Sequence, residues 1–149
     1  MSPKSANRLC GSCHRGIPEP TGASWSFTLE IEPPSQNDVG GNKGTRVQRG
    51  KYRRMRDDYT LLLKARKNSL GIPDATRRRR VFIVREYPKG KRRYDRGNLV
   101  GGCKPLLDAM TEAGLLVDDK EKWLEDHYEQ RPAYKGGAFI IIEELENET

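Results

Sequence analysis

Three acids stand where they could serve a metal. Asp95 lies in RRYDRGN, after a basic run and ahead of an apolar helical pattern, and Asp118–Asp119 follow that pattern. Phosphodiester hydrolysis needs a nucleophilic water and a stabilised leaving oxygen. Mg²⁺ serves both needs, with Mn²⁺ as a substitute, and carboxylates hold it because it is a hard cation that prefers oxygen ligands. Lys91, Arg92, Arg93 and Arg96 flank Asp95, and such cations neutralise and position a phosphate backbone. Asp95, Asp118 and Asp119 are therefore the candidate metal ligands and catalytic acids. The competing assignment for Asp95 and Asp118 is a turn or cap, a common use of aspartate.

The elements around these acids decide whether they meet. Leu106, Leu107, Met110 and Ala113 form a helical core stripe, Pro105 suits a first turn, and Gly114 sits where a C′ glycine belongs. Gly101–Gly102 disfavour helix, so the regular helix is expected to start near Lys104 after an irregular lead-in. A helix of ten to fifteen residues spans about 15–22 Å. Asp95 and Asp119 can then converge only if Leu115–Val117 runs back along the helix, or if they meet across a dimer interface.

Upstream, Trp25, Phe27, Leu29 and Ile31 alternate with polar residues, which predicts a strand with one buried face, ended by Pro33–Pro34. Residues 35–48 read as a loop. From Arg49 to Lys67, Tyr52, Met55, Tyr59, Leu62, Leu63 and Arg66 share one helical stripe and leave a basic face. Val81–Val84 predicts a short buried strand followed by a basic turn, EYPKGKRRYDRGN. Trp123–Gln130 and Ala138–Ile142 predict two more strands. The order is β-α-β-α-β-β, an α/β (α+β) chain with a mixed sheet of about four strands and two main helices. Residues 1–23 read as a flexible tail and 24–149 as one domain.

The formal net charge is +7 over 149 residues. Ten Lys/Arg face two acids between Arg77 and Arg96, whereas eleven acids face four Lys/Arg from Glu112 onward. The middle of the chain is thus the candidate polyanion-binding surface. Arg77, Arg78, Arg79 and Arg80 are candidate DNA contacts, because a guanidinium donates two parallel hydrogen bonds to a phosphate. Tyr87 and Tyr94 beside the basic turn could stack on an unpaired base or pack against the core. No apolar run is long enough to span a bilayer, and MSPKSANRLC lacks a signal peptide's apolar stretch. A cytoplasmic protein without membrane attachment is expected.

RRYDRGNL (92–99), KPLLDAM (104–110) and AGLLVDD (113–119), together with IEPPSQN (31–37), resemble the RusA family of Holliday-junction endonucleases, in a phage-like branch. The resemblance covers roughly residues 25–143. It implies a homodimeric α/β endonuclease that uses Mg²⁺ to make paired symmetric incisions in four-way DNA junctions. Carried over by position, it assigns Asp95, Asp118, Asp119 and Lys104 to catalysis, with Asp119 as the catalytic member of its pair. Asp108 matches the family's helical Asp, and Asn98 its motif Asn, placed here with the DNA-binding residues. Two departures stand out. Gly97 occupies the slot of a second motif acid, and the stretch from Asn98 to Lys104 is three residues longer than in the compact motif. Asp108, Asp118 or Glu86 could supply the missing oxygen; otherwise the protein would bind junctions without turnover.

Cys10-Gly-Ser-Cys13-His14 fits a c-type haem pattern, but haem attachment requires an exported context, and no haem is expected. A zinc half-site there would need further ligands, with only Cys103 and His127 to complete it. A plain tail is the simpler reading. Gly40-Gly41-Asn42-Lys43-Gly44 lacks the context and the Ser/Thr of a phosphate-binding loop.

Overall fold

The computed structural model describes residues 22–41 and 44–145. The Cys10/Cys13/His14 zinc reading and most of the expected tail lie outside them. The elements are β1 (Ser24–Leu29), α1 (Gln36–Val39), α2 (Arg46–Leu70), β2 (Arg79–Pro88), α3 (Arg96–Gly102), α4 (Lys104–Glu112), β3 (Leu124–Ala133) and β4 (Gly137–Glu144). They form one mixed four-stranded sheet in the order β1-β4-β2-β3. β4 pairs antiparallel with β1 and β2, whereas β2 and β3 run parallel, joined by the crossover that contains α3 and α4.

Period-2 alternation selects one face of the sheet for the core. Phe27, Ile140, Ile83 and Tyr128 stand in register across all four strands, and each is buried. α2 lays Tyr59 and Leu63 against this face, and α4 adds Leu106 and Met110. Burying a Leu or Met side chain fully contributes about 1.5–3 kcal/mol, so this one-sided core is the main source of stability.

Capping sets the helix limits. Ser35 and Asp38 form a reciprocal capping box that turns part of the expected 35–48 loop into α1. A second box, Thr45 with Gln48, starts α2 three residues before the expected Arg49. α2 ends at Gly71, whose left-handed φ of 67° relieves the steric cost a side chain would carry there. Gly114, at φ 82°, follows the end of α4 as the C′ position requires.

The expected irregular lead-in is a helix of its own. α3 runs through Gly97, Gly101 and Gly102, and at the last two the Pro34–Gln36 segment crosses it too closely for side chains. A Cβ on Gly102 would overlap the Pro34 carbonyl oxygen, and one on Gly101 would press into the Gln36 side chain. The low helix propensity of glycine is offset here by this close packing.

β2 is longer than the apolar run predicts, because buried arginines continue it at both ends. Arg79 and Arg80 are 0% and 3% exposed. Arg79 donates to the carbonyls of Leu115 and Pro73 and to Glu144, each at 3.0 Å. Arg80 lies 3.3 Å from Glu143 and also pairs with Glu125. Neither can grip a phosphate, and both are withdrawn as DNA contacts. Arg85, fully buried, bonds Glu32 at 2.9 Å, the Arg92 carbonyl at 3.1 Å and Gln130 at 2.8 Å. Its guanidinium also lies 3.4 Å from the Tyr94 ring centroid. The basic turn thus begins after Pro88, and its far end is anchored to the sheet.

Candidate metal-binding groove

The segment after α4 does fold back. Gly114 reverses the chain, Leu115 and Leu116 bury, and Arg79 fastens the return by holding the Leu115 carbonyl. Asp119 is thereby delivered to the first turn of α4, where the Lys104 ammonium donates to its carboxylate. The same ammonium lies 3.7 Å from Asp108, one turn along α4. Tyr52 of α2 donates its hydroxyl to Asp108. Asp118 accepts the Asp119 backbone N–H at 2.7 Å. Tyr52, Asp108, Lys104 and Asp119 form one polar chain linking α2, α4 and the return segment.

The electrostatics of this chain favour charge. The Lys104 hydrogen bond holds the Asp119 carboxyl below the usual aspartate range. Partial burial opposes the Lys104 ammonium, but its contacts with Asp119 and Asp108 outweigh this and raise its pKa. Burial and the bond to Asp108 push the Tyr52 hydroxyl up as well. Lys104 is therefore protonated and Asp119 ionised throughout the neutral range.

A groove of about 720 Å³ opens beside this chain, lined by Tyr52, Lys104, Asp119 and Asp126, with Arg49 and Arg53 on its α2 wall. A second cleft, on the other side of Asp119, is lined by Asp57, Asp108, Glu112 and Asp118. Asp119 lines both.

Asp95 does not join them. It is the N-cap of α3: one carboxylate oxygen accepts the Asn98 N–H at 2.9 Å and the other accepts the Asn98 side-chain amide at 2.8 Å. These two bonds lower its pKa. Asn98 turns its carbonyl oxygen to the Asn37 N–H at 3.3 Å, so it clasps α1 to α3 rather than presenting a free amide to DNA. Within this one chain Asp95 does not line the groove with Asp119, and it takes the capping role. Gly97 has room for a larger residue, since a Cβ there would lie 3.5 Å from Asp95.

Arg77, Arg92, Arg93 and Arg96 are exposed, as is Lys91, which lies 3.5 Å from Glu32. Arg78 is half-buried and donates to the Glu121 carbonyl at 3.1 Å. Tyr87 is buried and Tyr94 half-buried; both pack against Arg85, the second of their two expected roles. Cys103 is fully buried, its thiol pushed up to about 12 by burial, and cannot serve as a zinc ligand in this arrangement.

Sequence reasoning missed Tyr52, Asp126, Arg49 and Arg53. Tyr52 reads as an ordinary stripe residue, although it lies at the polar end of the stripe. Asp126 carries a signal: alternation puts it on the strand face of buried Leu124 and Tyr128, yet it is polar and exposed.

Among the described residues, no three His, Cys, Asp or Glu side chains are close enough to enclose a metal ion. Two carboxylates that share one cationic position are nonetheless present, in Asp108 and Asp119 around the Lys104 ammonium. Mg²⁺ is commonly held by one or two carboxylates, with water and substrate phosphate completing its shell. The donor set fits that open kind of site. No protein-family model matches the chain, and no curated protein matches it.

Proposed function

We propose that this chain is a Mg²⁺-dependent endonuclease acting on four-way DNA junctions, with Asp119 and Asp108 as the carboxylates that hold the metal and Asp118 beside them. The observation that carries the reading is the Lys104 ammonium drawn between Asp108 and Asp119, with Lys104 and Asp119 lining a groove walled by Arg49 and Arg53 and Asp108 lining the adjoining cleft. Carboxylates and arginines on two clefts that share Asp119 match the two needs of phosphodiester cleavage, ionic oxygen ligands and neutralisation of the backbone. The ordered RusA-like motifs supply the junction as substrate and the homodimer as the assembly that gives paired cuts.

Mg²⁺ bound here supplies an activated water and charge at the leaving oxygen. The protein's own groups do the rest. Tyr52 restrains Asp108, so this carboxylate keeps its direction when Lys104 moves. Lys104 carries its charge to the scissile phosphate, where negative charge builds in the transition state. Arg77, Arg92, Arg93 and Arg96 hold flanking backbone.

A second reading is favoured by Asp95 and Gly97: with one motif acid spent on a cap and the other absent, the protein would bind junctions without cutting. One experiment separates the two. A labelled four-way junction and a matched duplex are incubated with the protein in Mg²⁺ and in chelator. Junction-selective nicking in Mg²⁺ that falls at least about a hundredfold in Asp119→Asn is expected, the usual order for loss of a group stabilising transition-state charge. Selective binding without nicking in any divalent metal would establish the second reading, and no junction preference at low salt would remove both.

A further inference from the structure

The groove is larger than cleavage chemistry needs. The reacting groups occupy its α4 end, while the rest of its 720 Å³ is bounded by Val39, Gly40, Gly41, Val100, Gly101 and Leu107. Bare glycine backbone and aliphatic side chains line this part of the groove, a surface on which the flat face of a base can lie. Gln36 stands at its edge. A Cβ on Gly41 would lie 3.1 Å from the Gln36 amide nitrogen, and one on Gly101 would collide with the same side chain, so the amide is seated between the two glycines. Among the described residues, the Gln36 side-chain amide makes no hydrogen bond. It therefore offers a donor and an acceptor together, the pair that reads a base edge bidentately.

The mouth of the slot is cationic. Arg49 and Arg53 are one helical turn apart, about 6 Å along the axis of α2. Arg53 is exposed, and Arg49 spends one guanidinium nitrogen on the Gly44 carbonyl at 2.6 Å. Lys104 stands at the other end.

We infer that this slot binds one unpaired nucleotide of a DNA strand, its base edge read by the Gln36 amide and its flanking phosphates held by Arg49 and Arg53. The inference deepens the nuclease reading and rests on it for the identity of the strand. Stacking is interrupted at a branch point and continuous in a regular duplex, so a base turns out of its pair at lower cost at the branch point, and the slot would contribute to structure selection.

The test is binding in chelator, which separates it from catalysis. The full chain is titrated into junctions carrying 2-aminopurine at successive positions near the branch point, with a fully paired duplex, the same strand as RNA, and a free nucleoside monophosphate alongside. A fluorescence change confined to one position is expected, absent from the duplex. Gln36→Leu should reduce the preference among bases at that position by about tenfold, the loss of one bidentate contact. Val100→Trp, which fills the slot from α3, should abolish the fluorescence change while thermal denaturation stays as in the parent. If that variant fails to fold, Gln36→Leu decides alone. Junction binding with no position-specific change, or Gln36→Leu with unaltered base preference, overturns the slot and leaves the nuclease reading standing. Equal binding of RNA, or tight binding of the monophosphate alone, overturns the DNA strand as occupant. Failure to bind any DNA overturns both.

Discussion

At the scale of single residues, the same chemistry can serve a fold or a reaction, and partners decide which. Asp95 and Asp119 are the same in type, and both were candidate metal ligands. Asp95 has both carboxylate oxygens engaged by Asn98, whereas Asp119 faces an ammonium in an open groove. This division is testable. Asparagine caps helices about as well as aspartate, and alanine does not. Asp95→Asn should therefore retain both the denaturation midpoint and junction cleavage, while Asp95→Ala should lower the midpoint. A fully folded Asp95→Asn that no longer cuts would return Asp95 to the metal.

At the scale of elements, buried arginines do what the apolar pattern does not. Arg79 ties the end of β2 to the Pro73 loop, the return segment and Glu144 at the end of β4. Removing one partner from a buried ion pair leaves the other uncompensated and commonly costs 3–5 kcal/mol. Glu144 keeps some solvent contact, so Arg79→Ala should destabilise by about 3 kcal/mol in chemical denaturation. Arg77→Ala, two residues away and exposed, should leave stability within about 0.5 kcal/mol of the parent and instead weaken DNA binding. Reversed outcomes would show that the run at 77–80 is split differently from the burial seen here.

At the scale of the whole molecule, the positive charge is divided between interior and surface. Arg79, Arg80 and Arg85 are inside and paired, whereas Arg77, Arg92, Arg93 and Arg96, and Arg49 and Arg53 at the groove, are among the exposed arginines. A protein that neutralises phosphates loses affinity as salt rises, with a log–log slope of about 0.9 per phosphate contacted. Arg92→Ala/Arg93→Ala should flatten that slope by one to two units, measured by fluorescence anisotropy on a junction between low and moderate salt. Arg80→Lys, at a buried position, should leave the slope unchanged. Among the described residues, no helix is long and apolar enough to cross a membrane.

The periodicities determined the elements. Alternation at Trp25–Ile31 and Ala138–Ile142, the α2 stripe and the C′ glycine at Gly114 all act within a few residues, and so remain legible in a linear string. Two capping boxes were equally local, and they explain why α1 and the start of α2 could have been read at Ser35–Asp38 and Thr45–Gln48. What only the tertiary structure decided depends on residues far apart in the chain. Gly101 and Gly102 look like helix breakers until Pro34 and Gln36 are laid across them. Four consecutive arginines look like one basic patch until β2 takes up Arg79 and Arg80 and burial pairs them with Glu144, Glu143 and Glu125, leaving Arg77 exposed. The acidic constellation divides in the same way. The RusA-like motifs put forward Asp119 and Lys104, but the fold-back at Gly114 joined them to Asp108 and Tyr52 and left Asp95 as a cap. Local sequence encodes what each segment forms, and the long-range packing of the sheet face encodes which of its polar groups remain free to react.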